Sequence, residues 1–256
     1  MNVIIITQAR VGSSRLSNKV LLKIGNDSLL GIHLRRLKKS KKASMVLLAT
    51  TFEKGVNKIL KIAQKEKVLI FQGSTENVLE RFYKSVKNKK PDYIVRVTSD
   101  CPLIDPKLID DVIEFAIKKK SDYVSNVLIH NFPDGQDIEV IKFTALELAW
   151  KNAKLKSEIE HVTPYLINNS DFNNKNIFKS FNYSINLSRD YSKARMTVDV
   201  KSDYDLIKNL IKIKGSNCDW IVYADYILDN EKMFNNQLLI RNESYLNQLE
   251  KEQNEE

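Results

Sequence analysis

The sequence predicts an α/β fold: a Rossmann-like, mostly parallel sheet with helices on both faces. Short runs rich in β-branched residues alternate with longer amphipathic segments through the first half of the chain. The runs are apolar at nearly every position, which is typical of strands buried on both faces of a parallel sheet. The 256 residues, 43% of them hydrophobic, are enough for one large domain, and no linker rich in Pro, Gly or Ser divides them.

The first half of the chain contains four predicted strand–helix units. The predicted strands are 3–7, 45–51, 68–71 and 93–98, and the predicted helices are 29–39, 56–65, 78–86 and 108–118. The helix over 56–65, for example, places Ile59, Leu60 and Ala63 at helical spacing. Helices of about ten residues between the strands favour parallel pairing, because each helix supplies a crossover connection.

The second half is less regular. Its predicted strands are 123–126, 137–143 and 195–200, and its predicted helices are 144–153, 158–167 and 202–212. Ser202 is the expected N-cap of the last of these helices. The Asn-rich segment 172–176 is a predicted loop. We expect one domain over 1–215 and a C-terminal helical extension over 216–256 that ends in a frayed acidic tail.

Composition limits the class of protein. The net charge of +9 suits an anionic partner such as a nucleotide, a nucleic acid or a membrane surface, although solvated helix faces explain much of the Lys excess. Two cysteines cannot build a disulfide framework or a Cys-rich zinc site. There is no basic leader, and no apolar run approaches the ~20 residues that span a bilayer. We therefore expect a cytoplasmic protein without membrane insertion.

The loop after the first strand carries the densest chemistry of the sequence. It contains three cations, a glycine and two serines: Arg10, Gly12, Ser13, Ser14, Arg15 and Lys19. Ligands of parallel α/β sheets bind beyond the carboxyl ends of the strands, where this loop lies. Backbone N–H groups and cations in such a loop suit a triphosphate. The sequence lacks G-x-G-x-x-G and the Walker A pattern, which argues against a dinucleotide site and a P-loop ATPase.

Two acidic residues follow predicted strands. Asp100 comes directly after the strand over 93–98 and so lies at the same sheet edge as the cationic loop. Asp199, within 195–200, approaches from the opposite side. Taken alone, an aspartate at such a position is more often a cap or turn residue than a functional one. Two carboxylates beside a triphosphate, however, form the oxygen-rich set that Mg²⁺ prefers. Together with the loop they predict a magnesium site formed by Asp100 and Asp199.

Several motifs in fixed order resemble one enzyme family. They are QARVGSSRLSNKVL, FQGSTENVLERF, VRVTSDCPLIDPKLID, PDGQDIEV, SEIEHVTPYL and MTVDVKSDYDL. They resemble the acylneuraminate and KDO type of CMP-sugar synthetase over residues 1–213, most closely its spore-coat polysaccharide (SpsF-like) branch. The resemblance implies a GT-A-like nucleotide-diphospho-sugar transferase fold with a small dimerisation and acceptor subregion. It also implies Mg²⁺-dependent transfer of CMP from CTP to an acidic sugar, ulosonic or nonulosonic, by a homodimer that binds no nucleic acid.

The resemblance also assigns residues to roles. Catalysis is expected at Arg10, Arg15, Lys19 and Asp100. The expected nucleotide-binding residues are Ala9, Arg10, Gly12, Ser13, Ser14, Arg15, Lys19, Thr50, Thr51, Gln72, Asn77 and Arg81. The expected acceptor-binding residues are Arg96, Asp134, Gln136, Asp137, Glu139, Glu160, His161 and Thr163. The segment SEIEHVTPY is also expected to form the subunit contact.

The chain departs from the family pattern at a few positions. Ser17 and Asn18 replace the usual proline and glycine before Lys19, Ser99 replaces the usual glycine before Asp100, and Gln136 stands where an apolar side chain is usual. None of these changes removes a charge that the chemistry requires, so they bear on the acceptor's identity more than on activity.

Two other functions remain open at this point. A GT-A-like glycosyltransferase would use a nucleotide-sugar, but its Asp-x-Asp metal motif is reduced here to the single acid of TSDCP. A basic nucleic-acid-binding protein would use the net charge, but the sequence shows no binding module and no aromatic residues interleaved with a basic stripe. His161 suits either an acceptor contact or a structural hydrogen bond.

Overall fold

Strands and helices alternate along most of the chain, and the computed structural model describes residues 1–12, 15–231, 241 and 243–255. The strands are β1 Val3–Gln8, β2 Lys23–Ile24, β3 Asp27–Ser28, β4 Met45–Thr50, β5 Leu69–Gln72, β6 Tyr93–Thr98, β7 Tyr123–Ser125, β8 Glu139–Lys142 and β9 Ser180–Asn182. The helices are α1 Leu29–Leu37, α2 Asn57–Lys65, α3 Val78–Val86, α4 Pro106–Lys119, α5 Phe143–Asn152, α6 Lys156–His161, α7 Pro164–Asn168, α8 Lys201–Lys214, α9 Trp220–Asp229 and α10 Glu243–Glu255. None of these described helices has the length and hydropathy needed to cross a membrane.

Within the described residues, seven strands form one sheet in the order β5-β4-β1-β6-β8-β7-β9. The first four of these strands are parallel, β8 runs antiparallel to both of its neighbours, and β9 is parallel to β7. The chain builds outward from β1 to β4 and β5, and then returns to place β6 on the other side of β1. This reversal leaves a crevice between the carboxyl ends of β1 and β6, which is where open α/β sheets bind ligands.

The continuous apolar pattern of β1 follows from burial on both faces. Val3 and Ile5 pack with α4, α8 and α9 on one face of the sheet. Ile4 and Ile6 pack with α3 and α5 on the other face. Because neighbouring side chains of a strand point to opposite faces, a strand covered on both faces must be apolar throughout. The predicted α/β fold with helices on both faces is confirmed.

Several elements of the second half differ from the prediction, and β9 was not predicted at all. The single helix expected over 158–167 is two helices, because Val162 has a positive φ of 74° and Pro164 begins a new helix, α7. The segment 195–200 is not a strand. The backbone N–H groups of Met196 and Val198 donate instead to the carbonyl oxygens of Asp134 and Asp100, at 2.6 and 2.8 Å. The segment therefore pairs with two separate loops and not with a neighbouring strand.

The start of α8 also differs from the prediction. Ser202 lies inside the helix, and Val200 is the N-cap residue. The buried Asp203 carboxylate accepts hydrogen bonds from the backbone N–H groups of Asp199 and Val200, at 2.9 and 3.2 Å. A carboxylate in the first turn accepts hydrogen bonds from these N–H groups, which have no partner within the helix. Its negative charge also interacts favourably with the positive end of the helix dipole. The cap therefore fixes the backbone of Asp199.

The expected boundary at 215 does not separate two packing units. Trp220, Tyr223 and Ile227 of α9 belong to the same core as Val3 and Ile5 of β1. Arg36 of α1 also donates to the backbone carbonyls of Ser216 and Cys218, at 2.8 and 3.0 Å. The described part of the tail forms α10, which packs against α6, and the frayed end stays a prediction.

Gly135 precedes β8 in a conformation that favours glycine. Its φ is +102°, and a Cβ atom there would lie 2.6 Å from backbone atoms of Met196 and Thr197. We expect Gly135→Ala to lower the free energy of unfolding by about 3 kcal/mol, because backbone strain and steric overlap add. Gly25→Ala is the matched control: its φ is +61° and a Cβ atom there would meet nothing within 4 Å. That change should cost about 1 kcal/mol. Urea unfolding of both variants measures the difference, and equal losses would contradict the close approach.

Candidate active site

A cavity of about 850 Å³ opens beyond the carboxyl ends of β1 and β6. The register of these two strands pairs Gln8 with Thr98, so the loops that follow them begin side by side. Most of the residues predicted from the sequence line this cavity: Ala9, Arg10, Arg15, Lys19, Arg81, Arg96, Asp100, Asp134, Asp137, Glu139, Glu160, His161, Thr163 and Asp199. Ser13 and Ser14 lie outside the described residues.

Lys19 joins the two predicted metal carboxylates. Its Nζ lies 2.7 Å from Oδ2 of Asp100 and 2.8 Å from Oδ1 of Asp199. Burial by itself lowers the pKa of Lys19. The two carboxylates raise that pKa by more than burial lowers it, so the pKa of Lys19 lies well above its usual range. Burial likewise raises the pKa of Asp100, and Lys19 more than reverses this, so the pKa of Asp100 is held well below its usual range. The centre of the site is therefore a protonated amine in contact with two carboxylates, of which Asp100 is held ionised.

Three arginines, Arg10, Arg15 and Arg81, also line the cavity. Arg15 Nη2 lies 3.1 Å from Oδ1 of Asp199, and its Nη1 lies 2.8 Å from Oε2 of Glu243. Arg10 is exposed. Burial, and then repulsion from Arg10, lower the pKa of Arg81 to about 10. Like charges held this close favour an anionic ligand, because its oxygens relieve their repulsion.

Some predicted nucleotide-binding residues organise the loops instead of lining the cavity. Gly12 N–H and Thr51 Oγ1 donate to the two oxygens of the Glu53 carboxylate, at 2.9 and 2.8 Å. The remaining three bind backbone: Thr50 Oγ1 to the carbonyl of Ala9, Gln72 Nε2 to the carbonyl of Thr51, and Asn77 Oδ1 to the N–H of Glu80 as the N-cap of α3. Glu53, which sequence reasoning missed, thus ties the loop after β1 to the loop after β4.

Gln136 is also placed away from the cavity, contrary to its assignment to the acceptor. Its side chain is fully buried. Its Oε1 accepts a hydrogen bond from the N–H of Asp105 at 2.9 Å, and its Nε2 donates to the carbonyl of Leu103 at 3.0 Å. A polar residue at this position therefore satisfies backbone groups of the turn after Asp100.

The other end of the cavity lies beside β6, β8 and α6. Arg96 of β6 forms an ion pair with Glu139 of β8, and Tyr123 Oη donates to the same carboxylate at 2.7 Å. Glu139 is therefore occupied in holding Arg96. His161 ends α6, and its Nε2 is buried without a hydrogen-bond partner among the described residues. Burial lowers the pKa of His161, so the ring is neutral near pH 7 and Nε2 is available to a ligand.

Arg195 organises the acidic side of the cavity and was missed in the sequence. It is only 4% exposed. Its Nε and Nη2 lie 3.0 and 3.1 Å from the Asp203 carboxylate, and Nη2 lies 3.2 Å from Oδ2 of Asp199. It also forms an ion pair with Asp134. Burial, followed by repulsion from Asp137, raises the pKa of Asp134 to about 7. The four-residue spacing of Arg195, Asp199 and Asp203 was the sequence signal that could have indicated this group of ion pairs.

The chain is similar to known proteins over most of its length. Residues 4–240 match the family model described as cytidylyltransferase. The chain belongs to the cytidylyltransferase family. An uncharacterised protein of Methanocaldococcus jannaschii is 41% identical over 96% of this chain and 98% of its own. The spore coat polysaccharide biosynthesis protein SpsF of Bacillus subtilis is 33% identical over 85% of this chain and 90% of its own.

Other cytidylyltransferases extend this similarity. The structure of a cytidylyltransferase from Leptospira borgpetersenii superposes with a TM-score of 0.84 and 34% sequence identity, covering 94% of this chain and 99% of that one. The 3-deoxy-manno-octulosonate cytidylyltransferase of Elusimicrobium minutum is 31% identical over 47% of each chain. Together with the family model, these relatives establish the chain as a nucleotidyltransferase, as the motifs predicted.

The segment predicted to form the dimer contact of this cytidylyltransferase includes α6, which packs against helices of its own chain. Within the described residues, α6 packs against α3 and α10. The homodimer through the SEIEHVTPY segment stays a prediction.

His33 of α1 supports the turn that carries Asp100 from behind. It is fully buried, its Nδ1 donates to the carbonyl of Cys101 at 2.9 Å, and its Nε2 accepts from Thr7 Oγ1 at 2.9 Å. Its carbonyl partner cannot donate, which places the proton of the neutral ring on Nδ1. Burial lowers the pKa of His33 to about 4. The neutral ring thus fixes the residue that follows Asp100.

Acidification should destabilise this cytidylyltransferase through His33. Its pKa falls from 6.5 to about 4 on folding, so its stabilising contribution is complete above pH 6.5 and is lost as the pH falls toward 4. The resulting loss of unfolding free energy between pH 7 and pH 5 is about 2 kcal/mol. His33→Gln keeps a donor and an acceptor but does not titrate. Urea unfolding at the two pH values should show a smaller loss in this variant, and an equal loss would contradict the assignment.

Proposed function

We propose that this cytidylyltransferase transfers CMP from CTP to an acidic sugar, a ulosonic or nonulosonic acid, and releases pyrophosphate, in the biosynthesis of a surface polysaccharide. The observation that carries the proposal is the contact of Lys19 with both Asp100 and Asp199 at the end of the parallel strands. The names of the relatives from Bacillus subtilis and Elusimicrobium minutum support the acidic sugar and the polysaccharide.

The triphosphate is assigned to the cationic side of the cavity. The loop after β1 supplies the cations of this side, which are Arg10, Arg15 and Lys19. Phosphoryl and nucleotidyl transfer depend on positioning and on stabilising charge that develops on the phosphate oxygens. Lys19 and Arg15 supply that charge, exchanging part of their contact with carboxylates for contact with phosphate. The acceptor hydroxyl attacks the α-phosphorus directly, because no serine or cysteine lining the cavity has the paired base and orienting group of a covalent nucleophile among the described residues.

Asp100 and Asp199 fit a Mg²⁺ site. Both carboxylates contact one ammonium group, and Mg²⁺ uses one or two protein carboxylates together with substrate phosphate oxygens. Within the described residues no cluster of three or more His, Cys, Asp or Glu side chains is placed to hold a metal, so the remaining ligands would be phosphate and water. When bound, the metal would stabilise negative charge as pyrophosphate leaves.

The acceptor is assigned to the side of Arg96 and His161. The guanidinium of Arg96 has a buried Nε without a partner among the described residues, as does Nε2 of His161. Unsatisfied polar atoms at a cavity wall are completed by ligand groups at little cost. Arg96 suits the carboxylate of a sugar acid, and neutral His161 suits one of its hydroxyl groups. Glu139 is not assigned as the base, since it already accepts from Tyr123 and pairs with Arg96.

The direct test is pyrophosphate release in the presence of each of four nucleoside triphosphates and a panel of sugar acids. We expect release with CTP and an acid of eight or nine carbons, together with formation of the CMP-sugar. Release with a nucleotide other than CTP, or with neutral sugars only, would contradict the proposal.

Loss of either metal carboxylate should abolish turnover. Asp100→Asn and Asp199→Asn keep the size of the side chain but remove the negative charge that Mg²⁺ needs. We expect turnover to fall by roughly 100-fold or more in each variant, and to fall in the wild type with EDTA and return with added Mg²⁺. Asp27→Asn is the control, because Asp27 pairs with Arg35 away from the cavity. Full turnover of both variants in EDTA would refute the metal assignment.

Loss of a phosphate-side cation should lower kcat. Arg15→Ala and Lys19→Ala each remove a charge that offsets developing phosphate charge, so we expect kcat to fall by roughly 100-fold. Lys23→Ala removes an exposed lysine of β2 that does not line the cavity, and it should leave kcat unchanged. Steady-state kinetics with CTP and acceptor varied separately make the comparison. A change confined to the acceptor KM would contradict the assignment of this loop to the triphosphate.

A further inference from the structure

The C-terminal helix α10 forms one wall of the active-site cavity. Tyr245, Gln248 and Lys251 of this helix line the cavity, as does Arg241 just before it. None of these residues was assigned a role from the sequence. The helix lies on the side of α6, whereas the cationic loop lies on the side of β1.

Both ends of this wall are fixed by charged contacts. Glu243 lies 2.8 Å from Nη1 of Arg15, and Arg241 binds Asp137 and donates to the carbonyl of Phe132 at 3.2 Å. At the other end, the Glu252 carboxylate accepts from the backbone N–H and from Oγ of Ser157, each at 2.6 Å. Burial raises the pKa of Glu252, but these two hydrogen bonds outweigh it and hold the pKa below its usual value.

The distance between the anchors suits a small molecule. Nine residue steps of α-helix separate Glu243 from Glu252, a rise of about 13 Å. That length runs from the phosphate-side cation Arg15 to the first turn of α6. It is enough to accommodate an extended sugar acid of eight or nine carbons beside the triphosphate.

Three side chains of different chemistry face the cavity along this span. Tyr245, Gln248 and Lys251 are spaced by three residues, so they share one helix face. The Tyr245 ring contacts His161 edge to face, with ring centroids 5.0 Å apart. Lys251 has no ion-pair partner among the described residues. The wall therefore offers an aromatic surface, an amide and an unpaired ammonium group.

We infer that α10 selects the acceptor, with Tyr245, Gln248 and Lys251 contacting the sugar acid; this inference rests on the proposed function. The ammonium of Lys251 is complementary to an acceptor anion, the amide of Gln248 to hydroxyl groups, and the ring of Tyr245 to a C–H face. The triphosphate is assigned to Arg10, Arg15 and Lys19, at the end of the wall where Glu243 contacts Arg15, whereas Tyr245, Gln248 and Lys251 follow along the helix toward its contact with α6. Tyr245 additionally positions His161 through the ring contact.

Separate KM values for acceptor and CTP test the inference. Tyr245→Ala should raise the acceptor KM by roughly tenfold, and Lys251→Ala should raise it by about threefold to tenfold. In both variants the CTP KM should stay within about twofold of wild type. The probes are 3-deoxy-manno-octulosonate and N-acetylneuraminate. Glu250→Ala is the matched control, since Glu250 is the exposed neighbour of Lys251 and does not line the cavity. Lys251→Arg should restore the acceptor KM.

The outcomes separate this inference from the proposed function. An unchanged acceptor KM in both variants, or an equal rise of the CTP KM, overturns the role of α10 while leaving CMP transfer intact. Absence of turnover with every acid overturns the proposed function. Calorimetric binding of the two acids to the CMP-saturated protein then decides the role of α10. Binding weakened by Lys251→Ala and not by Glu250→Ala supports it, and unaffected or absent binding overturns it.

Discussion

The position of the Lys19 ammonium group between Asp100 and Asp199 is the contact on which the site depends. It joins a loop after β1, a turn after β6 and a segment that crosses the sheet edge a hundred residues later. Two carboxylates that share one ammonium partner would repel each other without that cation. With it, Asp100 stays ionised although it is buried. The amine thus keeps the Asp100 carboxylate charged and holds Asp199 beside it.

A second set of contacts holds these carboxylates in place from behind. Arg195 binds Asp199 and Asp203, and Asp203 in turn accepts from the backbone of Asp199. Gln136 and His33 bind the backbone on either side of the turn after Asp100, at Leu103 and Cys101. Buried groups that are fully hydrogen-bonded have one low-energy arrangement, and removing any partner leaves a costly unsatisfied atom. The carboxylate pair is therefore preorganised by residues that do not line the cavity.

The sequence predicted the first half of the fold well because its signals are local. Apolar runs and helical periodicity located β1, α3 and β6 to within a residue, and the strand ends located Lys19 and Asp100 at one edge. The second half depends on contacts that periodicity does not encode. The segment 195–200 alternates like a strand, yet its N–H groups pair with the loops at Asp134 and Asp100. Arg195 carried no motif of its own, and its role depends on three carboxylates that only the folded chain assembles.

The place of the C-terminal helix was beyond sequence reasoning for the same physical reason. Glu243 meets Arg15 across 228 residues of sequence, and no local pattern predicts a contact at that separation. The consequence is a division of labour within one cavity. Cations and carboxylates at the strand ends are fixed by the sheet register, so a change there alters the chemistry. Tyr245 and Lys251 stand on a helix attached at its ends, so their side chains can change without moving Lys19 or Asp100. Selection of the acceptor can therefore diverge while the transfer step is retained.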